Sequence, residues 1–136
     1  MGQVALVSFS LMGARYALEA RRVLRMDAHA SLERRVSAAE LLTSATPAAS
    51  RSLLSYLPAR WLTLRDGEGF WQLGVEGGVQ FDRWPAEALL PLPPLVIARC
   101  QHPGLRGVAL DADRPAMWLL DAQQLSPNSS VLTTKS

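Results

Sequence analysis

From residue 61 onward, short apolar runs alternate with turn residues. Trp61-Leu62-Thr63-Leu64-Arg65 places successive side chains on opposite faces, Asp66-Gly67-Glu68-Gly69 turns, and residues 70–75 return as the second arm of a hairpin. Gly77-Gly78 makes another tight turn into Val79-Gln80-Phe81-Asp82-Arg83-Trp84. Residues 85–90 read as a short helical or turn segment. Pro91, Pro93 and Pro94 exclude a regular ladder there, because proline has no N–H to donate. Residues 95–100 read as extended. Residues 105–110 and 116–120 form a hairpin across Asp111-Ala112-Asp113-Arg114, and Asp121 caps a last helical turn that reaches Leu125.

The first third carries the same pattern more sparsely. Residues 4–11 form a β-rich run, Met12-Gly13-Ala14-Arg15 supplies a turn that Gly13 makes tight, and residues 16–19 return as a second strand. Val23-Leu24-Arg25-Met26 predicts a third. At Ser37 the pattern changes to a capping box, with Ser37 as N-cap and Glu40 at the third helical position, opening a short helix through Leu41 and Leu42. Residues 43–52, TSATPAASRS, are small and polar, as in a linker between two subdomains. Beyond Ser126 the tail SPNSSVLTTKS reads as mobile.

Composition narrows the class. Of 136 residues 49% are hydrophobic and 19% charged, which suits a globular chain with one core or two small ones. The net charge is only +2, and no stripe of basic residues with interleaved aromatics is present, so nucleic acid is not an expected partner. The single Cys100 forms no internal disulfide and belongs to no metal-ligand spacing, which points to the cytoplasm and to no metal. The apolar stretch 4–12 is interrupted by Ser8 and Ser10 and soon followed by Glu19, so it reads as a strand rather than a signal peptide. No run approaches the roughly 18 apolar residues of a membrane span.

No catalytic constellation is complete. His29 and His102 are the only imidazoles; a hydrolase built on either needs an orienting acid and a positioned nucleophile, and no G-x-S-x-G elbow is present, so both read as surface loop residues. Asp111 with Asp113 lacks the glycine and terminal glutamate of a calcium loop and reads as an Asp-rich turn. Gly67-Glu68-Gly69 lacks the lysine of a phosphate-binding loop and reads as a hairpin turn. The expectation is a protein that is not an enzyme and carries no cofactor. The tryptophans Trp61, Trp71, Trp84 and Trp118 are candidates for core or interface, with Trp61 and Trp71 facing each other across one hairpin and Trp84, beside Pro85, the best candidate for exposure. The pairs Arg21-Arg22 and Arg34-Arg35 read as solvated faces that an acidic partner can use.

The order of these pieces resembles the CheW-like domain, the chemotaxis coupling family. Its opening strand, glycine turn and "YAL" strand leading to a valine correspond to Phe9-Ser10-Leu11-Met12-Gly13-Ala14-Arg15-Tyr16-Ala17-Leu18-Glu19-Ala20 and then Val23. Its closing strand, polar turn and "LLD" segment correspond to Arg106-Gly107-Val108 through Leu119-Leu120-Asp121 and Leu125. The middle "G-VD-V" strand and Pro-rich stretch look like residues 74–84 and Leu90-Pro91-Leu92-Pro93-Pro94. Between Met26 and Leu42 the family's strand-helix segment is contracted to Arg34-Arg35-Val36-Ser37-Ala38-Ala39-Glu40-Leu41-Leu42.

The resemblance implies an all-β fold with short helices, built as two small SH3-like β-barrel subdomains packed together, the first one contracted. The domain spans residues 1–125, with subdomain one at about 1–50 and subdomain two at about 51–125, followed by the tail 126–136. It implies a non-catalytic cytoplasmic adaptor, recruited to membrane receptor arrays, that couples methyl-accepting chemoreceptors to a CheA-type histidine kinase, with one of the two partners weakened by the contraction. The alternative is a β-barrel interaction module that self-associates or regulates a different partner. Candidate partner-binding residues are Arg22, Val23, Arg34, Arg35, Val36, Trp84, Arg106 and Gly107. A first barrel with missing strands has an unclosed edge, which predicts homo-oligomers through residues 4–11 or 23–26, or completion by a strand of the partner.

Overall fold

The computed structural model describes residues 2–43, 58–76, 78–99 and 104–125. The expected linker beyond Thr43, Tyr56, Cys100, His102 and the tail from Ser126 lie outside the described residues. Ten strands follow in chain order: β1 Gln3–Leu11, β2 Ala14–Glu19, β3 Arg25–Asp27, β4 Arg35–Ser37, β5 Arg60–Asp66, β6 Gly69–Val75, β7 Gln80–Pro85, β8 Leu89–Pro91, β9 Leu105–Asp111 and β10 Arg114–Leu120. Among the described residues two short helices, α1 Ala38–Thr43 and α2 Pro94–Arg99, and two single 3-10 turns, Ala20–Arg22 and Ala86–Ala88, join them. The fold is mostly β, in curled sheets, as the alternation predicts.

One sheet has six strands in the order β7-β1-β2-β10-β9-β8, the other four in the order β3-β5-β6-β4. Strands from both sides of residue 50 enter each sheet. The β1–β2 hairpin turns at Met12 and Gly13, whose φ angles of 51° and 83° lie in the left-handed region that glycine enters freely and that a two-residue hairpin turn requires. The β5–β6 hairpin has Leu64 opposite Trp71 and Trp61 opposite Gly74. Trp61 and Trp71 therefore lie on opposite faces and do not pair, because side chains alternate along each strand.

After β6 the chain leaves the four-stranded sheet. Gly77 of the expected turn lies outside the described residues, and past Gly78 β7 does not return to β6 but pairs antiparallel with β1, Val7 opposite Phe81. β1 is thus hydrogen-bonded on both sides and buried on both faces. Its odd residues Val7, Phe9 and Leu11 join a core with Leu62, Leu64, Trp71, Leu73 and Val75 of the second sheet. Its even residue Leu6 joins a smaller core with Ala17, Trp84, Ala109 and Met117. Burial on both faces explains why residues 4–11 read as a run. It also removes them as an open edge, so the expected self-association through that strand has no unpaired backbone to use. β3, by contrast, pairs only with β5 and lies at the end of its sheet.

The segment between β3 and β4 pairs with no strand and is held by side chains. Gln72, fully buried in β6, accepts through Oε1 from the backbone N–H groups of Ser31 and Leu32 at 2.8 and 2.9 Å, and its own N–H donates to the Arg34 carbonyl at 2.9 Å. Arg34 grips Asp66 with both Nη1 and Nη2, at 3.1 and 2.5 Å, and Nη2 lies 3.3 Å from Glu68. β4 then pairs parallel with β6, Val36 beside Leu73. The capping box is realised on one side: the Glu40 N–H donates to Ser37 Oγ at 3.1 Å, starting α1 where β4 ends.

Two local expectations change. Residues 95–99 are helical rather than extended, since Pro94 at the first helical position presets φ and needs no N–H partner; Val96 and Ile97, which favour strands, do not override it. Trp84, the best candidate for exposure among the tryptophans, is 2% exposed, because it points inward beside Val4 and Leu6 of β1. The exposed tryptophan is Trp118, at 40%. The short β8 against β9 fits an edge position, where Pro91 has no ladder donor to supply.

Candidate interaction surface

The sheets' curvature leaves two kinds of depression. The first is an apolar groove of about 270 Å³ whose sides are β3 and β7. Both are end strands, one from each sheet. Val7 and Leu62 form its floor, Val23, Leu24 and Met26 one wall, and Val79 and Phe81 the other. Leu24, Met26 and Phe81 are 54%, 50% and 69% exposed, so the rim presents large apolar side chains to solvent. The period of two along β7 places Val79 and Phe81 on the groove face and sends Trp84 to the opposite one.

The second kind lies at the far end of the six-stranded sheet. Ala17, Leu119, Gly107 and Pro91 occupy one register row across β2, β10, β9 and β8. Two of these four residues are the smallest available, and the row sinks into a cavity of about 440 Å³. Gly107 is required there: a Cβ would stand 2.5 Å from the Leu90 carbonyl oxygen. Arg22, at the end of the first 3-10 turn, and Arg106, in β9, reach the cavity from opposite margins, with Glu19 and Asp121. A neighbouring depression of about 530 Å³ shares Arg22 and Gln123 with it and adds Arg21, Leu24 and Arg65.

The candidate residues distribute as follows. Arg22, Arg106 and Gly107, distant in sequence, line one cavity, and Val23 lines the apolar groove. Arg34 is a structural clamp; its hydrogen bonds to Asp66 raise the guanidinium pKa above its ordinary value. Arg35 is exposed beside it and donates to the Leu32 carbonyl at 3.3 Å. Val36 is core, 6% exposed, and Trp84 is covered by Arg114, whose guanidinium carbon lies 4.7 Å from the ring centroid. Neither of these two offers its side chain to a partner. Leu24 and Met26, expected at a self-association edge, line the groove, and Phe81, Arg65 and Gln123 join the two surfaces without having been candidates. For Phe81 the signal lay in the alternation itself, while Gln123 meets Arg22 only through the fold.

His29 is exposed in the loop after β3, and Asp111 is engaged within its own turn, accepting from the Asp113 N–H at 3.2 Å and lying 3.5 Å from Arg114. Among the described residues no three metal-ligating side chains cluster. No helix of the described residues is long and apolar enough to cross a membrane.

No protein-family model matches the sequence, and no curated protein matches it. Among solved structures the chain is similar to the scaffolding protein TtCheW from Thermoanaerobacter tengcongensis, with a TM-score of 0.65 at 12% identity, covering 90% of this chain and 91% of that one. At that identity the likeness establishes the fold, which is the one the sequence resemblance implied.

Proposed function

We propose that this chain is a non-catalytic adaptor of a chemotaxis-like signalling system, coupling chemoreceptors to a CheA-type histidine kinase in the cytoplasm at receptor arrays. The observation that supports this most directly is the likeness, over nine tenths of both chains, to a scaffolding protein. The apolar groove between β3 and β7 supplies what such a role needs, a concave strip of large side chains open to solvent and set between two sheets. With the segment between Met26 and Leu42 contracted, one of the two partners binds more weakly than it does to an adaptor with the full segment. Titration of the protein against a receptor cytoplasmic tip and against the kinase regulatory domain tests this. The expected result is saturable binding of both, unequal in affinity; no binding of either at about ten to a hundred micromolar overturns it.

A second reading rests on its own observation. The outer side of β3 is unpaired by its sheet, and Leu24 and Met26 beside it are half exposed. In this reading the protein is an interaction module that pairs with a second copy along that edge. Sedimentation velocity separates the two, since self-association without receptor or kinase binding selects the module.

A further inference from the structure

We infer that the two depressions meeting at Arg22 form a docking track for an acidic, leucine-bearing segment of a partner protein. The inference stands apart from the adaptor reading. It rests on which charges around the track are already satisfied. Two of its three carboxylates are ion-paired, Glu19 with Arg21 at 2.5 Å and Asp66 with Arg34 at 2.5 Å, and only Asp121, which accepts from the Gln123 backbone N–H at 2.9 Å, keeps an unpaired charge. Three guanidiniums on the same track, Arg22, Arg65 and Arg106, have no ion pair among the described residues.

Arg22 borders both depressions. With the Gln123 amide oriented to satisfy both groups, its oxygen accepts from Arg22 Nη1 and Nη2 at 3.1 and 3.2 Å. A neutral amide thus fixes the guanidinium in place without neutralising it. The fork is aligned before a partner arrives, which cuts the entropy cost of binding a carboxylate bidentately. Arg65 is steadied similarly by a neutral group, its guanidinium carbon 5.8 Å from the centre of the Phe70 ring.

Between and beside these cations the track is apolar. Leu24 borders one depression, and Leu89, Leu90 and Leu119 the other. Unpaired cations spaced by apolar ground match a chain that alternates carboxylates with aliphatic side chains. Two depressions on either side of one arginine favour an extended segment over a single small anion.

The test is fluorescence anisotropy with a dye-labelled eight-residue peptide alternating Glu and Leu, beside peptides in which Gln or Lys replaces Glu. The expected result is saturable binding of the Glu peptide, weakened about tenfold or more in the Gln peptide and abolished in the Lys peptide, and falling as salt rises from about 50 to 300 mM. Arg22→Gln and Arg106→Gln, checked for folding by circular dichroism, should each weaken it about fivefold or more, while Arg60→Gln, at the exposed start of β5 outside the track, leaves it unchanged. Equal binding of the Gln peptide, an equal loss in Arg60→Gln, or no binding below about 1 mM overturns the inference. Binding to phosphatidylglycerol vesicles that depends on Arg22 and Arg106, with none to the peptide, also overturns it in favour of a lipid surface.

Discussion

Gln72 shows how one side chain can hold a segment that pairs with no strand. Its amide oxygen satisfies two N–H groups of a segment that has no strand of its own, those of exposed Ser31 and half-buried Leu32, and each such hydrogen bond contributes about 0.5–1.5 kcal/mol. Gln72→Leu removes both acceptor contacts, so urea denaturation should find it destabilised by about 1–3 kcal/mol. Gly107→Ala should also destabilise, by about 1–3 kcal/mol, because the added methyl meets the Leu90 carbonyl at 2.5 Å and backbone cannot rotate away as a side chain would. Tyr16 gives a pH signature. Burial against Phe9 raises its pKa above the ordinary 10.0, so the folded protein holds the phenol proton more tightly than the unfolded chain does. Both states are protonated well below that value; as pH rises through it the unfolded chain ionises first, and stability is lost until the folded pKa is passed. Comparing urea midpoints near pH 8 and about pH 11, the decline should be shallower in Tyr16→Phe than in the parent.

At the scale of elements, hairpins were legible and long-range pairings were not. The turns at Gly13, at Gly67 to Gly69 and at Asp111 to Asp113 carry their own chemistry, and each sits where its residues predict. Nothing local tells β7 to leave its hairpin neighbour for β1, or β10 to lie parallel to β2; those choices are made by which apolar faces need covering. The candidate site divides along the same line. Arg22 and Arg106 were visible as basic residues in the order of a resemblance, whereas Gln123 became relevant only when the last turn folded against the first 3-10 turn. Edges follow from pairing too. Val7→Pro should unfold the protein, since β1 is bonded on both sides and Pro both lacks the donor and constrains φ. Met26→Lys, on the end strand β3, should leave the fold intact and abolish any self-association in sedimentation, because a lysine on an exposed edge disfavours pairing.

For the whole molecule, the sharing of strands between sheets decides cooperativity. β1 and β2 complete a sheet with β7 to β10, and β3 and β4 complete one with β5 and β6, so neither half of the chain holds a finished sheet. Tryptophan fluorescence and far-ultraviolet circular dichroism should therefore report one coincident transition, and separate fragments 1–50 and 51–136 should each stay unfolded until mixed. The parallel contact of β2 with β10, Tyr16 beside Trp118 and Ala17 beside Leu119, joins two hairpins about a hundred positions apart. At ribosomal rates of about 5–20 residues per second, the β1–β2 hairpin waits several seconds before β10 emerges to cover β2. During that interval the open flank of β2 is an aggregation hazard that the finished fold lacks, and a nascent-chain chaperone would find its substrate in that hairpin.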